Sequence, residues 1–126
     1  MGTWTVLRYF RSTDDCPFEK WKQSTALTAK DRARIDSKVS TIEQLEKLPP
    51  ETFKKYKTTD LYELKVRGDK KQLRPLCAPP NGKVILILCG SIEKGSKLPH
   101  GDLDKAENLV KLHKNGVGFV RRYYED

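Results

Sequence analysis

Apolar residues recur along this chain in three different rhythms. From Leu61 to Arg67 they alternate, with Tyr62, Leu64 and Val66 on one side and Glu63, Lys65 and Arg67 on the other. That is the pattern of a strand with one wet, charged face. From Val84 to Cys89 every position is apolar, which predicts a central strand covered on both faces. Ile35, Val39, Ile42, Leu45 and Leu48 follow one another at helical spacing, which predicts an amphipathic helix over 29–48.

Punctuation between these runs supplies the rest. Thr3–Phe10 is aromatic and β-branched and reads as a first strand. Asp14, Asp15, Cys16 and Pro17 open a short helix, with an acidic cap and a proline whose missing N–H costs nothing in the first turn. Phe18, Trp21 and Leu27 form its apolar stripe. Thr28 and Asp31 make a second cap box, with Asp in place of the usual Glu or Gln, and Pro49-Pro50 is the expected stop of that helix. Gly68-Asp69 turns the chain into a strand over Gln72–Ala78, Pro79 to Gly82 reverses it into the central strand, and Gly90 to Lys97 reads as a lysine-bearing turn. Pro75, lacking a donor, predicts an edge or a bulge in its strand. Gly101-Asp102 leads into a last helix lined by Leu103, Ala106, Val110 and His113, and closed by Asn115-Gly116. The tail Val117–Asp126 suits a docked strand or a loose extension equally. The predicted order is β-α-α-β-β-β-α: an α+β fold in a single small domain spanning 1–126, with a helical hairpin packed on one sheet face.

Composition narrows the partner. The 126 residues carry a net charge of +8, which points to an anionic partner such as nucleic acid. The excess is local: residues 1–53 are net +1, 54–74 are net +5 and the remainder is net +2. A charge run is ordinarily a solvated face, but here much of it lies on strands, which project alternate side chains onto one surface. The cations are Lys54, Lys55, Lys57, Lys65, Arg67, Lys70, Lys71 and Arg74. Cys16, Cys77 and Cys89 are odd in number and lack a metal-binding spacing; His100 and His113 stand alone. No metal or other cofactor is expected, nor any membrane segment or signal peptide, and a reduced, cytoplasmic protein follows.

Read in register, Leu61-Tyr62-Glu63-Leu64-Lys65-Val66-Arg67, then Arg74, then Leu88-Cys89-Gly90 with Lys94, Lys97 and Pro99, and finally Asp102, Leu103 and Ala106 resemble the RelE/HigB-like toxins of bacterial toxin–antitoxin pairs. That family commonly has Leu-Tyr-Glu-Leu-Arg-(Ile/Val)-Arg in its middle strand and an arginine early in the next. Its last strand runs into Leu-His-Gly-Phe-x-Lys-Lys-x-x-Lys-x-Pro. Lys65 stands where the family has arginine, Cys89 where it has histidine, Ser91 where it has phenylalanine and Glu93 where it has one of the paired lysines. The resemblance implies a RelE-like fold with a mainly antiparallel, twisted sheet. It also implies metal-independent endoribonuclease activity on ribosome-bound mRNA, inhibition of translation, and a small DNA-binding antitoxin as partner beside ribosome and mRNA. The ParE-like relatives, which inhibit DNA gyrase, and a non-catalytic nucleic-acid-binding member of the same fold are the alternatives.

Such cleavage needs a proton acceptor near a 2′-OH, cations on the charge that grows at phosphorus, and a donor to the leaving oxygen. Arg67 and Arg74 suit the cationic role, because guanidinium stays charged and grips phosphate bidentately. Arg67 has a competing use as a partner for Glu63 on the same strand face. Lys94, Lys97 and His100 are candidates for proton transfer, set against ordinary solvated side chains. Lys54, Lys55, Lys57, Lys65, Lys70 and Lys71 are candidates for RNA binding. Tyr123 and Tyr124 are candidates for base stacking, set against a docking role for the tail.

Overall fold

The computed structural model describes residues 2–57 and 59–125. Strand β1 (Thr5–Phe10) is followed by helices α1 (Pro17–Lys22) and α2 (Ala29–Glu43), then by strands β2 (Phe53–Lys55), β3 (Tyr62–Leu64), β4 (Val66–Arg67), β5 (Gln72–Cys77) and β6 (Val84–Glu93). Helix α3 (His100–Lys114) and strand β7 (Phe119–Arg122) complete the fold. All the strands join one sheet in the order β2-β3-β5-β6-β1-β7, with β4 also pairing β5. Among the described residues only β1 and β6 run parallel, from Thr5 beside Val84 to Arg8 beside Ile87; the other neighbours are antiparallel. The fold is a small α+β domain, as the chain's pattern implies, and its mainly antiparallel sheet is made mixed by the parallel β1–β6 pair.

The continuous apolar run of β6 is explained by cover on both faces. Ile85 and Ile87 are fully buried on the side of α1 and α2, beside Phe18, Ile35, Val39 and Ile42. Leu86 and Leu88 point the other way, into a second core closed by Ala106 and Leu109 of α3. The helical hairpin thus takes one face and α3 the other. Cys77 and Cys89 belong to different cores, so adjacent strands do not bring the two thiols together, and all three cysteines are free and buried.

Several predicted boundaries move. Helix α2 ends at Glu43, ahead of Pro49-Pro50, because its end is tied to β1: Val6 N–H donates to Glu43 Oε2 (3.0 Å) and Trp4 N–H to the Leu45 carbonyl (3.2 Å). The single strand predicted over Leu61–Arg67 is interrupted between β3 and β4. The register there, Glu63 beside Leu76 and Val66 beside Leu73, carries Leu64 opposite Pro75. Proline cannot donate across the gap, and Lys65 N–H turns to the Thr52 carbonyl (2.9 Å) instead. Pro75 therefore breaks its neighbour, while its own strand stays internal and has an irregular register next to it, at Leu76/Cys77. The predicted turn at Gly90–Lys97 is shorter: β6 continues through Glu93, and only Lys94–Lys97 turns. Gly90 lies within the strand because the Trp21 ring covers it; a Cβ there would stand 2.0 Å from the indole.

The tail is a docked strand. Phe119–Arg122 pairs with β1, Phe119 stacks on Phe10 (5.2 Å), and Arg8 donates to the carbonyls of Arg122 (3.1 Å) and Glu125 (2.6 Å). Asp126 lies outside the described residues.

A cationic sheet face with a buried arginine–carboxylate cluster

Cross-strand partners share a face of the sheet, and the register sorts the candidate residues accordingly. Lys54, Glu63, Leu76 and Cys89 form one row across β2, β3, β5 and β6. Arg74 and Ser91 are the core of the next row, with Lys65 opposite Arg74 by the same register. Arg67, Gln72 and Glu93 form the third. Leu76 and Cys89 belong to the α3 core, so all three rows lie on the α3 side. The helix covers the Leu76–Cys89 end of the first row with its body. Its first turn is anchored on the second, where the Ser91 hydroxyl donates to Asp102 Oδ2 (2.7 Å). Beyond that anchor the face is open and carries Lys65 half-buried and Arg67 exposed, while Lys54 is exposed at the β2 end of the first row.

Arg74 is the centre of this face. It is only 5% exposed, with Nε 3.3 Å from Glu63 Oε1 and Nη2 3.5 Å from Glu93 Oε2, while Nη1 donates to the Leu73 carbonyl (2.9 Å). Glu63, expected on a wet face, is buried with it. Arg67 does not pair with Glu63; Arg74 does. The contact at Nε lacks hydrogen-bond geometry, so burial outweighs the attraction of Arg74 and raises the Glu63 carboxyl above its ordinary pKa. Partial burial, together with the Lys54 ammonium and the charge of Arg74, lowers Lys65, with Glu63 opposing. A lysine so placed is closer to neutrality than a free one.

Lys94 and Lys97 flank a tight turn in which Gly95 and Ser96 both have positive φ (55° and 66°), and both lysines are exposed. His100 is exposed at the first position of α3, two residues before the Asp102 anchor. These three therefore border the open rows at the end of β6. Lys55 is exposed and 4.0 Å from Asp60, and the Lys57 ammonium lies 5.3 Å above the Tyr56 ring. Lys70 is exposed, whereas Lys71 is tied by a 2.6 Å ion pair to Asp31, whose side chain is fully buried.

The two tyrosines lie elsewhere. Tyr123 packs against Phe18 and donates to Asp36 Oδ1 (2.6 Å), and Tyr124 donates to the Asp36 carbonyl. Both sit on the side of the helical hairpin, opposite the Arg74 row, and Tyr123 is a core residue at 6% exposure. Sequence reading passed over Arg34, which donates from Nη1 to the Gly68 carbonyl (2.8 Å). Its spacing of three from Asp31 puts both on the α2 face that meets the Gly68 turn. Among the described residues no group of three or more His, Cys, Asp or Glu could hold a metal ion, and no helix is long and apolar enough to cross a membrane.

Comparison with known proteins adds one finding. Residues 22–111 match the sequence model of the family described as Phage derived protein Gp49-like (DUF891). No curated protein matches the chain. The matched span runs from the end of α1 into α3 and includes all three rows of the cationic face.

Proposed function

We propose that this chain, which belongs to the phage-derived Gp49-like family, is the toxin of a toxin–antitoxin pair and cleaves ribosome-bound mRNA. Membership of the family is consistent with a toxin-like protein, and the nuclease reading rests on the open sheet face. The observation that carries it is the convergence of Lys54, Lys65 and Arg67 beside Arg74, with Lys94, Lys97 and His100 at the adjoining turn. A phosphodiester laid on these rows meets Arg67 as its accessible guanidinium. Lys65, with its lowered pKa, stands beside it as a group able to take or give a proton. The reaction is in-line attack of a 2′-oxygen on phosphorus: the P–O2′ bond forms, the P–O5′ bond breaks, the 2′-OH proton passes to a base and the 5′-oxygen takes one up. Arg74 acts from beneath, holding Glu63 and Glu93 so that neither carboxylate repels the strand.

Arg67 separates chemistry from folding, because it is exposed and Arg74 is not. Arg67→Ala should lower single-turnover cleavage of mRNA on programmed ribosomes by about 10²–10³, with an unchanged melting midpoint. Arg67→Lys should recover only part, since it keeps the charge without the bidentate fork. Wild-type protein that arrests growth but leaves ribosome-bound mRNA intact would refute the nuclease. A non-catalytic, nucleic-acid-binding toxin is then the reading to adopt, and one observation already favours it: two carboxylates occupy the guanidinium of Arg74.

A further inference from the structure

Next to the three rows, the turn between β4 and β5 forms a hollow of about 480 Å³ lined by Arg34, Arg67, Lys70, Lys71, Asp69 and Glu93 among others. Its charges are not equally available. Lys71 is neutralised by Asp31, and Glu93 faces Arg74. Among the described residues no carboxylate stands within ion-pair distance of Arg34, Arg67 or Lys70. The guanidinium of Arg34 is held by neutral carbonyls, those of Gly68 (2.8 Å) and Arg67 (3.4 Å), which fix its position and leave its charge unspent. Three uncompensated cations therefore face one exposed carboxylate, Asp69.

The turn that presents them is built rigidly. Asp31 Oδ1 accepts from Asp69 N–H (2.7 Å), Asp31 Oδ2 accepts from Lys71 Nζ (2.6 Å), and Gly68 N–H donates to the Lys71 carbonyl (2.9 Å). Gly68 is required where the turn meets α2, since a Cβ would come within 2.6 Å of Asp31 Oδ1. Lys70 is held in the left-handed region at φ 58°, where glycine or asparagine fits without strain and lysine does not. Lys70 thus holds its charge at the lip of a cationic hollow at a cost in backbone strain, the arrangement in which strain accompanies function.

We propose that this hollow is a phosphate-binding subsite, formed by Arg34 and Lys70 with Arg67 on its border toward the sheet face, that takes a backbone phosphate of an RNA strand next to the one cleaved there. The proposal rests on the RNA reading above and names the part of the site that grips the strand outside the reacting bond. Its ligand is a phosphodiester. Lys71 contributes by bracing the turn through Asp31.

Lys70→Gly provides the test, because it removes the charge and relieves the backbone together. The melting midpoint should hold or rise. Binding of a short single-stranded RNA, followed by fluorescence anisotropy over a salt series, should weaken roughly 3–10-fold at low salt, and the log–log salt slope should fall by about 0.7. Lys111→Gln, which removes one exposed charge from α3 away from the hollow, should change binding far less. In the wild-type protein the backbone amides of Gly68 to Lys71 should shift on RNA addition. Wild-type protein that binds RNA while Lys70→Gly keeps the same affinity and slope, or while Lys111→Gln loses as much, overturns the subsite and leaves the RNA reading intact. Wild-type protein that binds no RNA overturns both, and is told apart by the flat anisotropy of the unsubstituted chain.

Discussion

Replacing Arg74 by methionine tests the buried cluster at its centre. The Arg74 and Glu63 side chains are each 6% exposed, so the substitution strands a carboxylate where water does not reach it. Breaking a buried pair from one side costs about 3–5 kcal/mol, mostly the penalty of the charge left behind. At roughly 3–5 °C per kcal/mol for a chain of this length, the melting midpoint at pH 7 should fall by about 10–25 °C. Thermal unfolding followed by circular dichroism between pH 4 and pH 8 would show it. The sign of the pH dependence is specific. Burial already raises the Glu63 pKa above that of the unfolded chain, and losing Arg74 removes a cause that lowers it. A raised carboxyl destabilises the fold above its unfolded pKa, and protonation relieves it, so the deficit should shrink as the pH falls toward 4. Adding Glu63→Gln should recover much of the loss at pH 7. A deficit of the same size at every pH, or a double variant no better than the single one, would mean that lost packing and not a stranded charge is responsible. It also follows that an inactive Arg74→Ala protein says little about catalysis unless its folding is measured beside its activity.

Two further outcomes are expected. Gly90→Ala puts a methyl group into the Trp21 ring and should cost about 1–3 kcal/mol; an unchanged denaturation midpoint and tryptophan emission would show that the indole does not cover β6. The Asp31 carboxyl is pushed upward by burial, but Asp69 N–H, Lys71 and Thr28 N–H together hold it well below the usual carboxylate range. Its stabilisation is thus complete above about pH 5 and is lost as the pH falls below about 4. Asp31→Asn should cost about 2–4 kcal/mol at pH 7 and flatten that acid limb, and a variant with the wild-type acid limb would contradict the assignment.

The pattern of the chain by itself determined the parts that depend on periodicity and local capping. Val84–Cys89 is apolar throughout because cores lie on both faces, and the alternation of Ile85 and Ile87 with Leu86 and Leu88 assigns each residue to its layer. Thr28 and Asp31 form their capping box within a single turn, and Ile35, Val39 and Ile42 face inward because the period of α2 requires it. The candidate cations on β3 to β5 were legible for the same reason, since a strand puts alternate residues on one side. Tertiary structure decided what those cations do. Whether Glu63 pairs with Arg67, four residues away on its own strand run, or with Arg74 on β5 depends on how the strands pair, and strand alternation carries no information about which neighbour a later segment brings. Helix α2 stops at Glu43 rather than at the prolines because β1 claims its end. Tyr123 turns inward because Arg8 and Asp36, distant in sequence, fix the last strand, and Arg34 joins the site only because α2 packs on the Gly68 turn. Periodicity reports which side a residue faces; the charge it meets there is set by contacts between segments far apart along the chain.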